Sequence, residues 1–159
     1  MAIEIERKYL VLEIPNNLKS VNIKQGYLQT DASRTVRIRS VQNKSGPKGF
    51  ITIKGISNSS GMSRYEFETS IPFADALNLL SLCDTPLLEK TRYQYEYDGF
   101  IWEIDEFHGV NKGLIIAEIE LESEHQSFDI PSFIGEEVTG QYKYYNSELV
   151  SNPFSKWKK

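Results

Sequence analysis

The chain has 159 residues, of which 40% are hydrophobic, 12% aromatic and 25% charged, which predicts a single soluble globular domain over residues 1–159 with a sizeable core. A formal net charge of −4 argues against a nucleic-acid partner or an anionic membrane, so an anionic ligand has to be met by a local cluster of bases. No apolar run approaches the length of a membrane span, and a single cysteine, Cys83, excludes an internal disulfide and a cysteine-based zinc site.

The N-terminus leads into a strand without a signal-peptide pattern, so the expected compartment is the cytoplasm. That strand, Ile3 to Leu10, places Glu4, Glu6 and Lys8 on one face and Ile3, Ile5, Arg7 and Tyr9 on the other. Two carboxylates about 7 Å apart on one face repel each other and are at ease beside a divalent cation. The plain alternative is a solvated strand face with a salt bridge. Residues Glu13 to Ser20 read as a turn around Pro15. Asn22 to Thr30 reads as a strand, and Asp31-Ala32-Ser33 as a turn. Thr35 to Val41 is a strand with Arg37 and Arg39 on one face. Asn43 to Gly49 reads as a loop, Phe50 to Lys54 as a strand, and Gly55 to Gly61 as a loop of glycine, serine and asparagine.

Ser63 to Ile71 is a strand with Arg64, Glu66 and Glu68 on one face and Tyr65 and Phe67 on the other, closed by Pro72. Phe73 to Leu82 has helical spacing in Phe73, Ala76, Leu77 and Leu80. Cys83 falls in this apolar stretch and reads as a buried core thiol. Leu87 to Tyr97 is a strand carrying Lys90 and Arg92, and Asp98-Gly99 is a hairpin turn. Phe100 to Phe107 returns with Glu103 and Asp105 on one face and Trp102 and Ile104 on the other. Leu114 to Glu122 is a strand presenting Glu118 and Glu120. The tail holds a short segment at Phe133 to Glu137 and a helical candidate at Asn146 to Val150. His108 reads as a turn residue, His125 as a surface residue and Trp102 as packing.

Eight mostly antiparallel strands and one helix follow. An open sheet would leave the charged face in water, and a closed barrel would turn it inward; periodicity does not choose between them. Lys8, Arg37, Arg39, Lys54, Arg64, Lys90 and Arg92 come from five strands, and their convergence is costly without a polyanion. The acidic pairs Glu4/Glu6 and Glu118/Glu120 are costly without a metal. A chain of phosphates with Mg²⁺ or Mn²⁺ satisfies both.

In this light Glu4-Ile5-Glu6-Arg7-Lys8 resembles the Glu-x-Glu-x-Lys signature of the triphosphate tunnel metalloenzymes, the CYTH superfamily. The resemblance continues in order through Gln25-Gly26-Tyr27-Leu28, Arg37-x-Arg39, Thr52-Ile53-Lys54, Arg64-Tyr65-Glu66-Phe67-Glu68, Glu89-Lys90-Thr91-Arg92-Tyr93, Glu103-Ile104-Asp105 and Ala117-Glu118-Ile119-Glu120. It covers residue 3 to about residue 149 and is closest to the compact, stand-alone bacterial type. The resemblance implies a mainly β (α+β) fold: an eight-stranded antiparallel closed barrel, the triphosphate tunnel, with a few flanking helices. It implies Glu4, Glu6, Glu66, Glu68, Asp105, Glu118 and Glu120 as metal ligands. Lys8, Arg37, Arg39, Lys54, Arg64, Lys90 and Arg92 are implied to bind substrate, and Lys8, Glu4, Glu6 and Lys90 to be catalytic. A departure is Gln141, where relatives often carry an acid.

The implied function is divalent-metal-dependent hydrolysis of a triphosphate compound, foremost inorganic tripolyphosphate. The alternatives are a class IV-type adenylate cyclase making cyclic AMP and pyrophosphate, and a non-catalytic polyphosphate- or nucleotide-binding module. The short loops leave few walls for a purine, although Tyr27 or Tyr65 near a tunnel mouth offers a platform. The expected partner is a small-molecule triphosphate, with no nucleic acid and no membrane, and a homodimer is the expected assembly.

Overall fold

The computed structural model describes residues 3–157. Nine strands form in chain order: β1 (Ile3–Val11), β2 (Ser20–Gln29), β3 (Arg34–Asn43), β4 (Gly46–Gly55), β5 (Ser63–Ile71), β6 (Leu88–Tyr97), β7 (Phe100–Phe107), β8 (Ile115–Glu120) and β9 (Ile134–Glu137). Two helices accompany them, α1 (Phe73–Leu80) and the single turn α2 (Asn146–Leu149). Pro72 ends β5 and stands immediately before α1, where a missing N–H costs nothing.

The sheet order is β5-β4-β3-β2-β6-β7-β8-β1, every pairing is antiparallel, and β1 also pairs with β5. The register Ile3↔Tyr65, Glu4↔Arg64 and Ile5↔Ser63 therefore closes eight strands into a barrel. β9 lies outside the ring, added to the second half of β1 through Tyr9↔Glu137 and Val11↔Ile134. The closed barrel, not the open sheet, is the outcome, and it follows the resemblance.

The expected loop at Asn43 to Gly49 is instead a tight hairpin. β3 runs to Asn43 and β4 starts at Gly46, with Asn43↔Gly46 in register. The Asn43 Oδ1 accepts hydrogen bonds from the Ser45 N–H at 2.8 Å and hydroxyl at 2.6 Å. This side-chain turn substitutes for backbone pairing, and Gly46 supplies the positive φ of 107° that the return requires.

Because the ring's interior is charged, the apolar cores lie elsewhere. On one outer face Ile38 meets Ala76 and Leu80 of α1, together with Cys83, which is buried as expected. Gly26 makes this approach possible, since a Cβ there would fall 2.6 Å from Leu87 and 2.7 Å from Cys83. On another outer face Tyr9, Trp102, Ile104, Ala117, Ile119 and Leu121 are covered by Phe128, Phe133 and Ile134. The third core closes one end of the barrel. There the inward Tyr27, Leu88, Phe107 and Ile116 meet Val138, Tyr144 and Leu149 from the C-terminal segment.

Trp102 is fully buried and packs edge-on to Tyr9 and Phe128, with ring centroids 5.5 and 5.8 Å away. Trp102→Ala is expected to cost about 3–5 kcal/mol of stability in urea unfolding. A loss of less than about 1 kcal/mol would contradict a core built on the outside of the ring.

Candidate active site

Strand alternation and barrel closure together decide what faces the interior. Glu4, Glu6, Lys8, Arg37, Arg39, Lys54, Arg64, Glu66, Glu68, Lys90, Arg92, Glu118 and Glu120 all line one lumen, joined by Glu103, Tyr27, Thr35, Thr52, Tyr145, Asn146 and Ser147. Thirteen of the fourteen site residues expected from the sequence thus meet in one cavity. The exception is Asp105, which stands behind the lining and is bound to two lining cations.

The charges are sorted by position around the ring. β4, β3 and β6 contribute Lys54, Arg37, Arg39, Lys90 and Arg92, and β2 between them contributes no charge. β7, β8 and β1 contribute Glu103, Glu118, Glu120, Glu4 and Glu6. The lumen therefore has a basic wall facing an acidic one, with Lys8 and Arg64 as basic exceptions on the acidic side.

On the basic wall Asp105 accepts from Arg92 Nε at 2.7 Å and Nη2 at 2.9 Å, and from Lys90 Nζ at 2.9 Å. Burial pushes the Asp105 carboxyl up, but Arg92 and Lys90 outweigh it and hold it at about 2. Burial, with Arg92 and Arg37 nearby, brings Lys90 down to about 7. Burial and the same kind of crowding, by Arg37 and Arg92, bring Arg39 to about 10, still protonated at neutral pH. Glu68 ties the other two arginines together. Its Oε1 accepts from Arg39 Nη2 at 2.9 Å, from Thr52 Oγ1 at 2.6 Å and from Arg37 Nη2 at 3.5 Å. Asp105 and Glu68, expected as metal ligands, are thus engaged with cations of the basic wall. The Nε–H groups of Arg37 and Arg39 are buried and have no partner.

On the acidic wall Glu6 faces Glu120 in register, and Lys8 faces Glu118. Burial and the charges of Glu118 and Glu4 push the Glu6 carboxyl well up. Burial also raises Glu118, but Lys8, the Glu6 carboxyl against it and Arg92 outweigh that and hold it well below the usual range. The two carboxyls lie against each other, and their shifts run in opposite directions. Burial with Glu4 and Glu103 raises Glu120 as well. Glu4 is paired, with Lys54 Nζ at 3.1 Å and Arg64 Nε at 3.7 Å. Lys54 also reaches Glu66 at 3.4 Å.

The neutral lining residues escaped a reading built on charge. Thr35 and Thr52 share the inward faces of β3 and β4. Gln25 follows the same alternation, opposite Arg39, but no charge marks it. Tyr145, Asn146 and Ser147 come from the C-terminal segment and carry no periodic signal. Tyr145 lies with its ring 5.0 Å from Lys8 Nζ and 5.4 Å from Arg64 Cζ. Tyr65 is on the outer face and exposed, and Tyr27 is buried in the apolar end, so neither presents a free ring face as a purine platform. His108 bonds Thr91 at the end of β7, outside the lumen lining, and Trp102 is core.

With this geometry, the comparisons with known proteins are direct. The model of the CYTH domain matches residues 2–151. A protein of Acetivibrio thermocellus named inorganic triphosphatase is 44% identical over 161 aligned positions, covering 99% of both chains. An inorganic triphosphatase of Nitrosomonas europaea is 37% identical, covering 92% of this chain and 96% of its own. Among solved structures, the inorganic triphosphatase NE1496 superposes with a TM-score of 0.66 at 35% identity, covering 94% of this chain and 95% of that one. A conserved hypothetical protein from Pyrococcus furiosus shares the fold, with a TM-score of 0.59 at 23% identity over 77% of this chain and 80% of that one.

The crowding of Glu6 has a measurable consequence. In chelator-treated protein near neutral pH, Glu6→Gln removes a buried carboxyl crowded by Glu118 and Glu4 while keeping its shape. Its thermal midpoint should rise, by about 2–4 °C for each kcal/mol of repulsion relieved. A fall of several degrees in differential scanning calorimetry would contradict the repulsion.

Proposed function

We propose, for a chain that belongs to the CYTH domain family, that the lumen binds a linear triphosphate and releases phosphate from it, with inorganic tripolyphosphate as substrate. The observation that carries this reading is the pairing of a basic wall that has buried, unpartnered arginine N–H groups with an acidic wall across one enclosed cavity. A phosphate oxygen is the acceptor that guanidinium Nε–H groups lack. The two relatives named inorganic triphosphatase, aligned over almost the full chain, support the same substrate.

In this reading Lys8, Arg37, Arg39, Lys54, Arg64 and Arg92 hold the phosphate chain, and their placement on separate strands fits an extended anion. Lys90 Nζ, buried and near 7, can take a proton at its nitrogen as water attacks. Asp105 and Glu68 serve by fixing the cations to which they are bonded.

The acidic wall fits a divalent cation. Among the described residues no three acidic, imidazole or thiol groups already converge in ligating geometry. The donor set is nevertheless all oxygen, and Glu6 is raised by carboxylates crowded against it, as a hard cation such as Mg²⁺ or Mn²⁺ would relieve. Glu4, Glu6, Glu118 and Glu120 are the residues we assign to hold it, with Glu66 beside Glu4. When bound, such a cation neutralises charge on phosphoryl oxygens and makes a bound water more acidic.

We further propose a cytoplasmic homodimer. Ile53, Tyr65 and Phe67 form an exposed apolar face on β4 and β5, with Ile53↔Phe67 and Ile3↔Tyr65 in register, and a second copy would cover it.

Purified protein incubated with Mg²⁺ or Mn²⁺ and, separately, tripolyphosphate, ATP and thiamine triphosphate tests the activity. Phosphate release from tripolyphosphate should exceed cyclic AMP formation by a wide margin and stop with chelator. Glu4→Gln and Arg39→Ala should each lower turnover on the order of 10²-fold or more. Cyclic AMP as the main product, or turnover indifferent to chelator, would overturn the assignment.

A further inference from the structure

The end of the lumen formed by the C-terminal segment contains a chain of amides that the charge pattern does not explain. Gln25 is fully buried on β2. Its Nε2 donates to the Asn146 Oδ1 at 3.0 Å and stands 3.4 Å from the Tyr27 hydroxyl. The same Asn146 oxygen accepts from Lys90 Nζ at 2.8 Å. Both lone pairs of that oxygen are thus used, and a flipped Asn146 would set its NH₂ against two donors. The amide orientation is therefore decided by its partners.

Lys90 Nζ has two fixed acceptors, Asp105 Oδ2 and Asn146 Oδ1. The carboxylate by charge and the amide by hydrogen bond fix where the amine stands, and Lys90 lines the lumen. Asn146 opens α2, whose Leu149 is fully buried in the apolar end and whose Ser147 is buried at the lumen lining. The Gln25 Oε1, meanwhile, is buried without a partner. Its amide is oriented for donation to Asn146 at the expense of its own acceptor, which packing alone would not require.

We infer that Asn146, held by Gln25, is a positioning residue for Lys90: with Asp105 it fixes where the amine stands at the lumen wall, beside the bound triphosphate. This rests on the triphosphate reading of the lumen. The role is absent from the charge motifs because both amides are neutral and 121 residues separate them.

The test is steady-state kinetics on tripolyphosphate with Asn146→Ala, Asn146→Asp, Gln25→Leu and Lys90→Ala, each checked by thermal unfolding. Asn146→Ala should lower kcat about 10-fold or more with KM little changed. Asn146→Asp keeps an acceptor oxygen but adds a carboxylate to the basic wall, so it should retain more of kcat than Asn146→Ala while raising KM. Gln25→Leu should lower kcat in the same direction by a smaller factor. In a Lys90→Ala background, Asn146→Ala should cost nothing further, because it acts through Lys90. A full additional loss in that background, or a loss confined to KM, would overturn the inference. The ζ-nitrogen NMR signal of Lys90, assigned by its disappearance in Lys90→Ala, provides a readout independent of turnover. It should shift or broaden in Asn146→Ala; an unmoved signal there would overturn the inference even if the wild type hydrolyses tripolyphosphate. A wild type that leaves tripolyphosphate intact overturns the hydrolase reading instead, and the same NMR comparison still decides the role of Asn146.

Discussion

Closing a barrel with its charged faces inward confines charges that water would otherwise screen, and the structure depends on how they are compensated. An unpaired buried charge is prohibitively costly, and even a paired one needs good geometry and further hydrogen bonds. Asp105 meets this demand with three short contacts to Arg92 and Lys90, and Glu68 meets it by gathering Arg37, Arg39 and Thr52. These carboxylates hold like charges together, so that the cations stay close without a ligand. The compensation is incomplete in two places: the arginine Nε–H groups on one wall and the Glu6–Glu118 pair on the other. Both deficits are of the kind that a bound polyanion and a hard cation would fill.

A polar interior displaces the hydrophobic core outward. Stability must come from α1 on one flank, from the Phe128–Ile134 region and β9 on another, and from the apolar end. This arrangement separates folding from chemistry. Trp102 and Ile38 pack in the outer cores and do not line the lumen, which can keep electrostatic strain that a conventional core would not tolerate. The separation ends at the C-terminal segment, where Leu149 packs in a core and Asn146, three residues earlier, faces the lumen.

Much of this was legible in the sequence because a period of two is unforgiving. Once Glu4, Glu6 and Lys8 share a face, every other strand has to present its charges to the same side or leave them among apolar neighbours. The eight ring strands and their shared charged face follow from that rule, and Arg7 falls on the other face, as the alternation requires, where it pairs with Glu137 at 2.6 Å. Closure does not follow from alternation; it depends on the register between β1 and β5, 60 residues apart at Glu4↔Arg64, and came from the resemblance. The hairpin at Asn43 was hidden because Gly46, Pro47 and Gly49 read as loop residues, while the Asn43 side chain makes the turn in two residues. Which carboxylates pair with cations and which stand free is a question of lateral neighbours, and a strand pattern specifies faces but not neighbours.

The inward face of β2, which carries no charge, shows why the uncharged residues matter as much as the charged ones. It lies between β3 and β6, which carry Arg37, Arg39, Lys90 and Arg92. A further cation on its inward face would add repulsion to a wall that already lowers Lys90 to about 7 and Arg39 to about 10. A carboxylate there would neutralise the wall and compete with an incoming anion. An amide does neither. It supplies directed hydrogen bonds at no net charge, so Gln25 can orient its surroundings without changing the potential that draws in the ligand. The attraction for a polyanion therefore comes chiefly from β3, β4 and β6, with Lys8 of β1 and Arg64 of β5, and the alignment of the groups that meet it from the neutral positions between them.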